Sequence, residues 1–560
     1  MDALRLDASF VDYLLVIVYF AVVLLIGLAA RRRVSDSLDF FLSGRSLPAW
    51  ITGLAFISAN LGAVEIIGMS ANGADFGIPT VHYFWVGAVP AMLFLGVVMM
   101  PFYYGSKVRS VPEFMLRRFG PGAHLVNALS FAVAQVLIAG INLYLLASIV
   151  EALLGWPLWV SLIVAAVIVL SYITLGGLSA AVYNEVLQFF VIVAALLPLT
   201  LLGLHRVGGV GGLVDRVTAA GDEEALSSWP ATNLTGFESP FWSVVGIIFG
   251  LGFVLSFGYW TTNFVEVQRA MATSSMSAAR STPIIGSFPK MFVPFVVVIP
   301  GLIATVLVPE VINAKASGDA DFDYNDSMLY LIRDVLPNGL LGVAIAGLLA
   351  AFMAGMAANI SAFNTVFSYD LWQTYVKKDR PDHYYLVVGR WATVGATVIA
   401  VGTAIIASGY SNLMDYLQTL FGFFNAPLFA TFILGMFWKR MTATAGWAGL
   451  VSGTLAAVLV AVLSEDSLGA ASVGVLPLSG QGASFVAAGA AFVVDIVVSV
   501  AVSLVTAPKP VSELAGLVYS ETPREQRTDP DAHRLPWYQS PTRLAGISLV
   551  MVIILNVIFR

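Results

Sequence analysis

The chain contains no cysteine, only five histidines, and charged residues at just 11% of its 560 positions. Without cysteine there are no disulfides, no thiolate catalysis, no cysteine-ligated zinc and no iron–sulfur clusters. The histidines (His82, His124, His205, His383 and His533) are scattered and show no metal-ligand spacing. Soluble domains carry about a quarter charged residues, so a soluble enzyme of several domains is excluded. No basic run is long enough for nucleic acid. What is abundant is apolar surface: hydrophobic types make up 58% of the chain, and the mean hydropathy is +0.86. These values predict an all-α polytopic membrane protein.

The first apolar run, 10–30, follows Asp2 and Asp7 rather than a basic segment, and Arg31, Arg32 and Arg33 come after it. That order predicts a retained membrane helix rather than a cleaved signal. Windows of about 20 apolar residues give about fourteen spans. The second covers 49–70 and the third 79–103. The fifth and sixth cover 157–175 and 182–205, the seventh 240–267 and the eighth 283–307. The eleventh covers 413–438. Nineteen of the 28 lysines and arginines fall in alternate loops, six in the others and three inside spans. This bias places both termini outside. The predicted division is 1–48 as first helix and loop, 49–438 as transport core with halves at 49–205 and 240–438, and 439–506 as peripheral helices. A cytoplasmic linker at 507–540, read as a solvated tether, and a last helix at 541–560 complete it.

Two spans are interrupted by glycine. "SANLGAVEIIGMSANG" (58–73) carries Glu65, and "FGLGFVLSFGYWTTNFVEVQR" (249–269) carries the pair Tyr259 and Trp260. They lie five spans apart and start on opposite sides, as expected of two inverted five-helix repeats that each open with a discontinuous helix. Glycine also lets membrane helices pack closely. Lys290 falls well inside the eighth span, and a charge at that depth needs a partner, a water-filled cavity or neutralisation. Glu185 and Asp370 fall nearer span ends, where reaching the interface suffices. With Gln418, these residues suit a small polar solute whose hydroxyls take the polar contacts while a ring stacks on an aromatic face.

Seven stretches in order carry a resemblance: "FFLSGRSLPAW" (40–50), "IIGMS" (66–70), "SVPEFMLRRF" (110–119), "TLGGLSAAVYNEVLQ" (174–188), "YWTTNFVEVQR" (259–269), "PKMFVPFVVVIPG" (289–301) and "FILGMFWKR" (432–440). Together they resemble the solute:sodium symporter family, in its sodium/glucose (galactose) cotransporter-like branch. The resemblance implies an amino-acid/sodium symporter-type fold with alternating access, in the cell membrane. It implies no enzyme activity, no cofactor beyond the co-transported ion, and no obligate protein partner. Partners would be the lipid bilayer and a small polar, sugar-like solute.

Carried over residue by residue, the resemblance implies a solute site at Tyr83, Met69, Tyr259, Trp260, Lys290 and Gln418. Glu65 stands where relatives carry glutamine, Phe84 replaces a glutamate, and Ile138 replaces an asparagine. The implied sodium site has Ser58 and Leu61 on one helix and Ala351, Ala354 and Gly355 on another, so two expected hydroxyls are absent. Glu65 and Glu185 are therefore candidate coupling carboxylates. A proton-coupled symporter using Glu65, or an uncoupled uniporter, stands beside the sodium-coupled reading.

Overall fold

The computed structural model describes residues 6–31, 43–62, 64–106, 108, 110–318, 322–410, 412–465, 468, 472–530 and 535–560. Asp2, Arg32, Arg33, His533 and the start of the 40–50 motif lie outside them. Among the described residues twelve helices are long and apolar enough to cross a membrane, thirteen if one bent pair counts as a span.

In chain order, α1 is Phe10–Arg31, α2 Ala49–Asn60 and α3 Val64–Asp75. Next come α4, Ile78–Ser106, α5, Val111–Phe119, α6, Pro121–Leu154, and α7, Leu158–Val207. The second half contributes α8, Pro240–Thr262, α9, Phe264–Met271, α10, Met276–Leu307, and α11, Leu340–Val376. The chain ends with α12, Asp382–Ala407, α13, Leu413–Phe437, α14, Ala443–Leu463, α15, Gly480–Val505, and α16, Pro541–Ile558.

Several boundaries differ from the sequence expectation. The fifth and sixth windows form one 50-residue helix, α7. Its apolar portions, Leu158–Ser171 and Ala181–Val207, are distinct, and Gly176 and Gly177 between them do not end the helix. Glycine costs a helix only about 1 kcal/mol, so a pair of them marks a boundary only when the chain also has somewhere to turn. The eighth span begins at Met276 rather than 283, because Ser275 caps it by accepting from the Ala278 amide at 3.2 Å.

The centre belongs to α11, 89% of whose apolar window is buried. It packs on α2, α6 and α7, and its small residues, Ala350, Ala351, Ala354, Gly355, Ala357 and Ala358, allow that close approach. Between α3 and α10, a Cβ on Gly301 would collide with the Ser70 carbonyl, so glycine is required there. By contrast, α1, α12, α14 and α16 expose large apolar side chains such as Phe10, Trp391, Leu455 and Val557, the surface a lipid-facing helix presents.

The 507–540 segment is not a solvated tether. Leu514, Val518, Thr522 and Asp529 are buried. The Tyr519 amide donates to the Met436 carbonyl at 2.7 Å, and Asp529 accepts from Ser277 and lies 3.6 Å from Arg280. Proline and mixed charge gave it the composition of a linker; Tyr519 against the end of α13 and Asp529 against the start of α10 dock it.

Candidate functional site

The two glycine-marked spans are both broken. Helix α2 ends at Asn60, and α3 resumes at Val64 with its axis turned by 63°. Leu61 closes the last turn by donating to the Ile57 carbonyl at 2.9 Å. The second break is a single residue, Asn263, with extended backbone (φ −71°, ψ 117°). Its carboxamide oxygen accepts from the Val265 amide at 3.0 Å and so caps α9. Wide i→i+5 turns occupy Val64–Gly68, Tyr83–Ala88 and Gly246–Ser256, all on helices that line the same space. Such turns free backbone groups and shift side-chain direction, and they concentrate at functional sites.

A cavity of about 90 Å³ lies where the breaks meet, with room for several waters. Glu65, Met69, Tyr83, Tyr259, Trp260, Lys290 and Gln418 line it, as does Ile138. Lys290, 2% exposed, donates to both Glu65 and Asn60. Its ammonium also sits 4.7 Å from the Phe84 ring centroid and 5.4 Å from that of Trp260, a cation held between a carboxylate and two aromatic faces. Phe84 thus touches the site through Lys290. The Tyr259 hydroxyl accepts from Asn60 at 3.1 Å and donates to Glu266 at 2.8 Å. Its ring lies 4.6 Å from Phe421. At the other end Tyr83 donates to Gln481, which donates in turn to Asp415. Gln418 donates to the Met414 thioether at 3.3 Å, a weak acceptor.

Of the sodium positions, Ser58, Leu61, Ala351 and Ala354 are buried, and the Ser58 hydroxyl has no hydrogen-bond partner among the described residues. Gly355 faces Gly62: a Cβ on Gly355 would stand 3.1 Å from the Gly62 Cα and 2.7 Å from the Asn142 carboxamide oxygen. Asn142, which the sequence did not single out, therefore brings an oxygen to the place that a side chain at 355 would fill. Glu185 does not reach an interface as expected. It is fully buried and bound by Arg269 at 2.5 and 3.3 Å. Asp370 is likewise buried, accepting from Ser110 at 2.7 Å and lying 3.1 Å from His124. The sequence also missed Asn60, Ser256, Asn263, Asn359 and Phe421, all on the cavity wall. Only Asn263 carried a signal, a helix-capping residue in the middle of an apolar span.

A broken-helix cavity with a polar wall, inside a bundle of at least twelve membrane-length helices, is the architecture of a carrier. The family model described as "Sodium:solute symporter family" matches residues 40–453. This chain belongs to that family. It is a sodium-coupled, multi-pass membrane symporter of a small solute. It is 30% identical to the "Sodium/glucose cotransporter" of Vibrio parahaemolyticus over 81% of this chain and 85% of that one. It is also 26% identical to the "Sodium/myo-inositol cotransporter 2" of Rattus norvegicus, over 81% and 70%. Among solved structures, a substrate-bound, outward-open Na+-coupled sialic acid symporter superposes with a TM-score of 0.74, at 19% identity, over 90% of this symporter and 99% of that chain.

Proposed function

We propose that this symporter imports a neutral sugar or cyclic polyol across the plasma membrane. The observation that carries the reading is the composition of the cavity wall. Amides and hydroxyls from Asn60, Ser256, Asn263, Asn359 and Gln418 face aromatic side chains from Tyr83, Tyr259, Trp260 and Phe421. Hydroxyls on a ring satisfy the first group and the apolar ring face satisfies the second. The one cation on the cavity wall among the described residues, Lys290, is already held by Glu65, which disfavours a solute that carries its own charge. The names of the relatives, glucose and myo-inositol cotransporters, agree with this class. The same ion pair argues against Glu65 as a free coupling carboxylate. Neither enzyme chemistry nor a cofactor is needed for such a cycle: an ion that favours one access state and raises solute affinity in it supplies direction.

The test is uptake into proteoliposomes of labelled hexoses, inositols and charged sugar acids, under separate sodium and proton gradients. Sodium-driven accumulation of a neutral sugar or polyol, with no competition from acids, is the expected result. Accumulation of only a charged solute overturns the substrate class, and equilibration without accumulation overturns the coupling.

A further inference from the structure

Among the described residues around the two breaks stand three carboxylates and two cations, all buried except Glu65, whose side chain is 13% exposed. Lys290 is taken by Glu65 and Arg269 by Glu185. The third carboxylate, Glu266, has no salt-bridge partner within 4.0 Å among the described residues, and it is fully buried. Its Oε1 accepts from Tyr259 at 2.8 Å, while its Oε2 is buried without a hydrogen-bond partner among the described residues. Arg269 on α9, Lys290 on α10 and Glu185 on α7 are the charged groups that bear on it.

The ordinary explanation for a glutamate three residues after a capping asparagine is the reciprocal cap, in which its side chain returns to the cap residue's backbone amide. That explanation fails here. The Asn263 amide already donates to the Tyr259 carbonyl at 3.1 Å, and the Glu266 side chain turns to the Tyr259 hydroxyl instead. The start of α9 offers partial positive charge, at most about half an elementary charge. A fully buried carboxylate with one orphan oxygen is left one positive charge short, a costly state unless something neutralises it. A proton needs only the free Oε2, whereas a sodium ion would need several converging oxygens.

We infer that Glu266 is a proton-binding site of this carrier, on its free Oε2, and that Tyr259 and Asn60 pass its occupancy to Lys290 in the solute cavity. A water-borne proton binds Oε2, and the Tyr259 hydroxyl stays on Oε1. The hydrogen-bonded series Glu266, Tyr259, Asn60, Lys290, Glu65 joins the site to the cavity without a gap. The inference rests on the carrier reading above for its transport consequence, but not for the binding event.

The experiment measures proton uptake by purified protein stepped between pH 8 and pH 6, with parallel binding of radioactive sodium, and then solute affinity at both pH values. Wild type is expected to take up one proton more than Glu266→Gln, with sodium binding equal in the two. Its solute affinity is expected to shift about 5-fold or more between the two pH values, a shift absent in Glu266→Gln. Tyr259→Phe, which keeps the carboxylate, is expected to retain the proton and lose the affinity shift; it serves equally if Glu266→Gln does not fold. Equal proton uptake by wild type and Glu266→Gln overturns the proposal, as does loss of sodium rather than a proton. Proton counting needs no solute, so a wrong solute class would leave this result standing.

Discussion

The two broken helices solve one problem in different ways. At the first break, a gap that contains Gly62 leaves Asn60 and Glu65 facing a lysine from α10, and the charge is matched inside the cavity. At the second, a single asparagine caps the following half-helix. The charged groups beyond it form a separate pair, Arg269 with Glu185, plus the unmatched Glu266. The first break gathers groups that a solute can reach. The second gathers buried charged groups that link α7, α8 and α9 to one another.

That contrast predicts unequal costs when each pair is broken. Arg269→Met strands Glu185 where neither side chain is exposed, and removal of one partner from such a pair costs about 3–5 kcal/mol. The expected outcome is loss of most folded protein, read by size-exclusion chromatography of detergent extracts. Arg269→Met with Glu185→Gln should recover much of it. Lys290→Met strands Glu65, whose side chain retains 13% exposure, so water softens the penalty to about 2–3 kcal/mol. The protein should fold with a lowered Tm while solute uptake is lost. Adding Glu65→Gln should restore the Tm but not the uptake. If both pairs cost the same, the two breaks are equivalent and the contrast fails.

Much of this was legible in the sequence because bilayer physics is strict. Apolar length marked the spans, and glycine with polar residues marked both broken helices. Glu65 and Lys290 stood out because charge is rare at such depth. What was not legible depends on which side chains meet across the fold. Asn60, Asn142 and Glu266 carry no signal of their own along the chain; the breaks bring the first two to the cavity and turn the third to the Tyr259 hydroxyl. Glu185 looked close enough to a span end to reach water, but α7 continues through that position and buries it.

A smaller effect tests the first break directly. Gly355→Ser places a Cβ 2.7 Å from the Asn142 oxygen and 3.1 Å from the Gly62 Cα. Overpacking of this kind costs about 1–3 kcal/mol. Because Asn142 is the side chain that must yield, Asn142→Ala in the same background should recover most of the lost Tm. If Gly355→Ser is neutral, Asn142 moves freely, and the first break is looser than its geometry suggests.

The smallest effect concerns the cover of α3, the half-helix that follows the first break. The turn Tyr324–Asp326 packs on it, and burial, reinforced by the nearby Asp323 carboxylate, pushes Asp326 up to about 7. Nearby positive charge is already engaged: Arg333 pairs with Glu310 and Asp334. An acid whose folded pKa lies above its unfolded value binds its proton more tightly in the native state. The stability it lends is therefore full below about pH 4 and is lost as pH rises toward 7. Asp326→Asn copies the protonated form at every pH. The variant should match wild type at pH 4 and exceed its Tm at pH 8, by about a degree or two. Equal Tm values at pH 8 would mean that water reaches Asp326 and that the turn does not seal α3.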